Sequence, residues 1–156
     1  MVTRERWAPD TALEPQATAA PTRGIAMIEG GCFCGFVRYR AGSTASNETS
    51  CHCSICRRSS GAPFVAWFTV SVGEFHFTAG TPASFRSSEH GTRTFCPRCG
   101  TPLTFRSSRV SDEVDVTTCS LDDPERLPPK DHTRTNSKLS WVRLDDDLPS
   151  FQEARP

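Results

Sequence analysis

Residues Cys51 to Phe64 read CHCSICRRSSGAPF, with three cysteines in the first six positions and two arginines directly after them. A structural zinc is almost always closed by four protein ligands, whereas a zinc that does chemistry keeps one position open. Three thiols in one short stretch therefore pose a question that only the remaining cysteines can answer.

The chain has eight cysteines. Cys96-Pro97-Arg98-Cys99-Gly100 has the spacing of a zinc knuckle: two residues separate the thiols, and the glycine lets the backbone turn so that both sulfurs face one ion. A knuckle is half a site. Cys32-Phe33-Cys34-Gly35 also ends in glycine and offers the other two thiolates, so Cys32, Cys34, Cys96 and Cys99 are expected to form a closed, structural four-sulfur site whose binding free energy becomes folding free energy. Cys51, Cys53 and Cys56 then remain as a three-cornered site whose fourth corner is water or substrate. Its alternative is a second closed site completed by Cys119 or by His52, which would make the protein a zinc-stabilised scaffold. Otherwise Cys119 is expected to be a small buried apolar residue beside a strand.

Bulk properties bound the rest. The chain has 156 residues, 36% of them hydrophobic, and no net charge. That fits one ordinary soluble domain without electrostatic bias towards nucleic acid, membrane or acidic partners. Neither a spanning apolar run nor a secretory signal is visible, so the expected compartment is the cytoplasm, where clustered thiols serve metal or reaction rather than disulfides.

Residues 1–26, rich in Pro, Ala and Thr, read as a disordered N-terminal extension, and 27–156 as a single zinc-binding domain. Met27-Ile28-Glu29-Gly30 looks like a natural beginning, and Met27 is a candidate start. Short strands follow. Val37 and Tyr39 share one face of Phe36–Arg40, with arginines on the other. FVAWFTV, from Phe64 to Val70, reads as a strand buried on both faces, while EFHFT from Glu74 and EVDVTT from Glu113 alternate. Gly-Thr-Pro at Gly80 and Gly100 marks turns. One helical turn is expected after Cys53, a late strand at Trp141-Val142, and a solvated turn at Asp145-Asp146-Asp147. The fold class is all-β.

Gly31-Cys32-Phe33-Cys34-Gly35, Cys51-His52-Cys53-Ser54-Ile55-Cys56-Arg57-Arg58, Gly61-Ala62-Pro63-Phe64 and Phe95-Cys96-Pro97-Arg98-Cys99-Gly100 together closely resemble the glutathione-dependent formaldehyde-activating enzyme family, which also includes centromere protein V. The resemblance runs from about Gly30 to Trp141. It implies a β-tent fold of short antiparallel sheets stapled by a four-cysteine zinc site, with two zinc ions per chain: a structural one on Cys32, Cys34, Cys96 and Cys99, and a catalytic-type one on Cys51, Cys53 and Cys56. The implied activity is that of a carbon–sulfur lyase acting as an S-(hydroxymethyl)glutathione synthase, which adds glutathione to formaldehyde or a related small aldehyde.

In that reading His52 is a candidate proton donor because it lies between two ligands. Arg57 and Arg58 are candidates for bidentate contact with substrate carboxylates. His76 is expected to face outward, His90 to sit in a polar turn, and Trp67 to be core. Other uses of the same fold would be a non-catalytic zinc-stabilised binding module or a redox-responsive or zinc-responsive protein. A basic extension for microtubules or chromatin is missing, since Met1 to Ala26 holds only Arg4, Arg6 and Arg23 as cations.

Overall fold

Two-residue alternation builds two sheets in the computed structural model, which describes residues 27–156; the extension read at 1–26 lies outside them. A three-stranded antiparallel sheet consists of β1 (Ile28–Gly31), β2 (Arg38–Ala41) and β5 (His76–Ala79), in the order β1-β2-β5. The larger, seven-stranded sheet adds β3 (Ser46–Cys51), β4 (Val65–Ser71), β6 (Ala83–Arg86), β7 (Gly91–Phe95), β8 (Pro102–Ser107), β9 (Val110–Thr117) and β10 (His132–Thr133). Its order is β10-β3-β4-β9-β8-β7-β6, antiparallel except that β10 runs parallel to β3. Among the described residues no helix is long and apolar enough to cross a membrane.

The two sheets enclose the main core. Tyr39 and Ala41 from the small sheet, with Val37 just before β2, meet Phe68, Val70, Leu103, Val114 and Val116 from the large one, all nearly sealed from solvent. Arg38 and Arg40 on the opposite face of β2 pair with Asp122 and Glu29. Strand β4 is buried on both sides, as its run of apolar residues predicts: Phe68 and Val70 face this core, while Val65 and Trp67 join a second cluster with Cys56, Cys51, Cys53 and Phe105.

That second cluster lies under α1 (Ser54–Ser60), which extends the single predicted turn. Cys53 caps its start by accepting the N–H of Cys56 at 3.3 Å, and Gly61 ends it in the left-handed region at φ 69°, a conformation glycine adopts without steric cost.

The late strand expected at Trp141-Val142 is a turn instead, with Trp141 67% exposed. The strand that does close the sheet is β10, a two-residue piece too polar and too short to show a period. It is held between Ser50 and Cys51 on one side and a bridge from His132 to Ser150 on the other.

Candidate metal centres and the cavity beside them

The two knuckles are built alike. Cys32 follows β1 and Cys96 follows β7, and each N–H is tied back across its turn, to the carbonyls of Val37 and Thr101. Gly35 at φ 74° and Gly100 at φ 75° make the reversals that aim the second thiols inward. Cys34 Sγ lies 3.5 Å from Cys32 Sγ and 3.7 Å from Cys96 Sγ. Sulfurs at the corners of a zinc tetrahedron stand about 3.8 Å apart, given a Zn–S length of about 2.3 Å. All four sulfurs fall within 4.8 Å of one another, so the donor set and its spacing fit such an ion. Val37 N–H donates to Cys32 Sγ, a contact that favours its thiolate, and Arg98 N–H donates to Cys96 Sγ.

Cys51, Cys53 and Cys56 also bring their sulfurs within 4.8 Å of one another. The first two sit on alternate positions of an extended segment, and the third lies one helical turn beyond the cap. Hydrogen bonds from the thiol of Cys51, and then of Cys56, hold Cys53 far below the ordinary thiol range, with the N–H groups of Cys56 and Ile55 adding to the effect against its burial. Sharing a proton with Cys53 and Cys56, together with burial, pushes Cys51 up. Among the described residues no fourth donor joins this group. Cys119 is exposed on a 3-10 turn, correcting the buried placement expected of it, and belongs to neither cluster.

His52 alternates with its cysteine neighbours and turns to the other side of the segment. It is fully buried; its Nε2 lies 2.9 Å from His132 Nδ1, and its ring packs 5.1 Å from that of Phe64. His132 Nε2 lies 2.9 Å from Asp146 Oδ2. The carboxylate can only accept, so His132 donates to it from Nε2–H, and the neutral His132 ring then accepts a hydrogen bond at Nδ1 from His52 Nε2–H. Asp146 is thus a partner of a buried histidine pair, not merely part of a solvated turn. Burial first, then the positive potentials of His132, Lys138 and Arg57, depress His52 to about 4.

The three thiols open into a cavity of about 580 Å³. Its floor is one transverse row of directly opposed residues on β4, β9, β8 and β7: Thr69, Asp115, Phe105 and Arg93. Arg93 packs over the rings of Phe105 at 4.7 Å and Trp67 at 5.5 Å and places Nη2 3.5 Å from Cys56 Sγ. It makes no ion pair among the described residues, and its Nε is buried without a partner. Arg93 thus sets an unpaired positive charge beside the three sulfurs.

Asp115 accepts the hydroxyl of Thr69 at 2.6 Å through Oδ1. Burial raises its carboxyl above the ordinary range, the charge of Glu113 adds to that, and Thr69 and Arg93 act against it. Neither Arg93 nor Asp115 was visible as a site residue: each is an ordinary charged position in an alternating strand until strand register brings it across from the other.

The arginines singled out by adjacency part company. Arg58 is exposed and lines a second cavity next door, whereas Arg57 lines neither and has a buried Nε without a partner. His76 is exposed on β5 as expected, and His90 lies 3.2 Å from Ser108 Oγ, lining neither of these two cavities. Trp67 is core, as expected, and also a wall of both cavities.

The model of the glutathione-dependent formaldehyde-activating enzyme family matches residues 27–137. A protein of Halomonas elongata, named provisionally as a glutathione-dependent formaldehyde-activating enzyme, is 29% identical over 128 residues, covering 76% of this chain and 82% of its own length. An uncharacterized lyase of Schizosaccharomyces pombe is 32% identical over 80 residues, 49% of this chain and 56% of that protein. A crystal structure of a Rhodobacter sphaeroides protein covers 79% of this chain and 98% of its own at 20% identity and a TM-score of 0.48.

Proposed function

Since the chain belongs to the glutathione-dependent formaldehyde-activating enzyme family, we propose that it is a zinc-dependent carbon–sulfur lyase that joins a thiol, glutathione by default, to formaldehyde or a related small aldehyde. The observation that carries the reading is the convergence of three cysteine sulfurs, Arg93 and Asp115 on one cavity. The names of the Halomonas and Schizosaccharomyces relatives point the same way.

In this reading Cys32, Cys34, Cys96 and Cys99 hold a structural zinc, and Cys51, Cys53 and Cys56 hold a second. Bound there, the second ion supplies a Lewis acid that favours the deprotonated form of an incoming thiol. The remaining steps fall to the protein. The thiol sulfur adds to the aldehyde carbon, the carbonyl π pair moves to oxygen, and the thiol's proton must end on that oxygen. Asp115 is the group placed to carry it. Thr69 holds Oδ1, which leaves Oδ2 to donate a proton to the new alkoxide and to recover one from the next thiol. Arg93, fixed between two rings, stabilises the negative charge that passes from sulfur to oxygen. His52 then acts as a positioning residue: its bond to His132 and its N–H to the carbonyl of Thr133 pin the segment that carries Cys51 and Cys53.

Hemithioacetal formation also proceeds without a catalyst, so the test is a rate. Exchange spectroscopy with 13C-labelled formaldehyde and glutathione should show interconversion accelerated in proportion to zinc-loaded protein. A rate equal to that of the protein-free mixture would sink the proposal and leave a zinc-stapled binding module.

A further inference from the structure

Beside the cavity that holds the three thiols lies a second chamber of about 630 Å³, and Ile55, Trp67, Ser87 and Arg93 line both. The two chambers differ in chemistry. The first holds polar groups such as Asn47, Thr49, Asp115 and Arg155, whereas the second takes its apolar wall from Phe85, Phe95, Pro102, Ile55 and Trp67, with Arg58 and several hydroxyl side chains also lining it. The transverse row on the sheet explains the change: Arg93 faces Phe105 on one side and Phe85 of the edge strand on the other, so a row that contains a carboxylate ends in an aromatic ring. Phe85 is 62% exposed and Ile55 44%, apolar surface that stays in water until something covers it.

Formaldehyde has one carbon and needs room on the scale of a single water molecule, about 30 Å³. It leaves the second chamber unused. Glutathione, with its carboxylates and ammonium group, finds more charged partners in the first chamber, where Glu113, Asp115, Arg134 and Arg155 join Arg93, than in the second, where Arg58 joins Arg93. We infer that the second chamber binds the apolar arm of the carbonyl substrate, so that the preferred partner of the thiol is an aldehyde carrying an alkyl or aryl group. This rests on the thiol-addition reading above, and the step is unchanged: a sulfur–carbon bond forms, the carbonyl π pair becomes an oxygen lone pair, and the thiol proton ends on that oxygen without oxidation or reduction.

The test uses the zinc-loaded full chain. Amide NMR spectra are titrated with 1-hexanol, an unreactive stand-in for the arm, and separately with methanol. Then kcat/KM is measured with glutathione for aldehydes from formaldehyde to hexanal. Hexanol should shift the amides of Phe85, Thr94 and Phe95 at concentrations where methanol shifts none. Along the series kcat/KM should climb about two- to fourfold per methylene. Phe85→Ala, which removes an exposed ring from the Arg93 row where it lines the second chamber only, should cut the ratio of hexanal to formaldehyde by about tenfold. Formaldehyde turnover with a flat aldehyde series would overturn the chamber assignment and leave the reaction standing. Hexanol shifts at the chamber without any thiol addition would keep the apolar site and overturn the reaction.

Discussion

Arg93 stands directly across the β7–β8 ladder from Phe105, with its guanidinium 4.7 Å from the centre of that ring and one nitrogen 3.5 Å from Cys56 Sγ. The stacking fixes a positive charge beside three thiols without an ion pair to a carboxylate among the described residues.

Replacing Arg93 separates charge from shape. Arg93→Met should lower kcat/KM by about a hundredfold, the range seen when a fixed donor to developing charge is lost, and Arg93→Lys by about tenfold because a lysine cannot stack as a plane. Arg93→Met should also weaken zinc binding at the three-cysteine site, read by competition with a chromophoric chelator. Unchanged affinity and rate together would remove Arg93 from the site.

Asp115 should trade stability for function. Its folded carboxyl is raised above the reference 3.8 by burial, so the folded protein holds this proton longer than the unfolded chain does. Stability is therefore lost as pH rises through the window from 3.8 to the folded value. Asp115→Asn removes that loss. The variant should melt a few degrees above wild type at pH 7, with the difference vanishing below pH 3.8, while turnover falls about a hundredfold. Melting curves across pH and the exchange rate check both halves.

The two cysteine groups should fail differently. Cys99→Ser opens the staple between the two knuckles and should lower the melting temperature by about 10 °C or more, because structural metal binding is folding free energy. Cys53→Ser should cost activity yet leave the fold in place. Equal unfolding by both variants would erase the distinction. Cys119→Ala, exposed and outside both groups, should leave zinc content and melting temperature unchanged. Elemental analysis per chain decides this.

The histidine pair should be structural in its energetics and local in its effect. His132→Ala leaves the buried Nε2 of His52 without a partner, a loss of about 1–3 kcal/mol. Because β10 and the cysteine-bearing end of β3 are paired there, zinc should exchange faster from the three-cysteine site than from the four-cysteine one. A lowered melting temperature with both exchange rates unchanged would confine the pair to stability.

Much of the fold was written in local pattern. The alternation at Val37 and Tyr39, the doubly buried β4 and the glycines after each knuckle are short-range signals, since a strand's faces and a turn's φ depend on a few neighbouring residues. The strand expected at Trp141-Val142 shows the limit. An apolar pair resembles a strand, but the place at the sheet edge went to His132–Thr133, whose pairing depends on the partner strand and not on its own composition.

The division at the site follows the same physics. Cysteine spacing within each motif is local, so the sequence alone determined both knuckles and the cluster of three, while the joining of the knuckles across the chain and the exclusion of Cys119 from both groups belong to the tertiary structure. Only the tertiary structure decided what surrounds them. Arg93, Phe105, Asp115 and Thr69 come from four strands and meet because antiparallel register sets them opposite one another, whereas His52, adjacent in sequence to Cys51 and Cys53, turns away because successive side chains in an extended segment point to opposite sides. Proximity along the chain marks thiols that share one turn, and proximity across a sheet is invisible until the strands are paired.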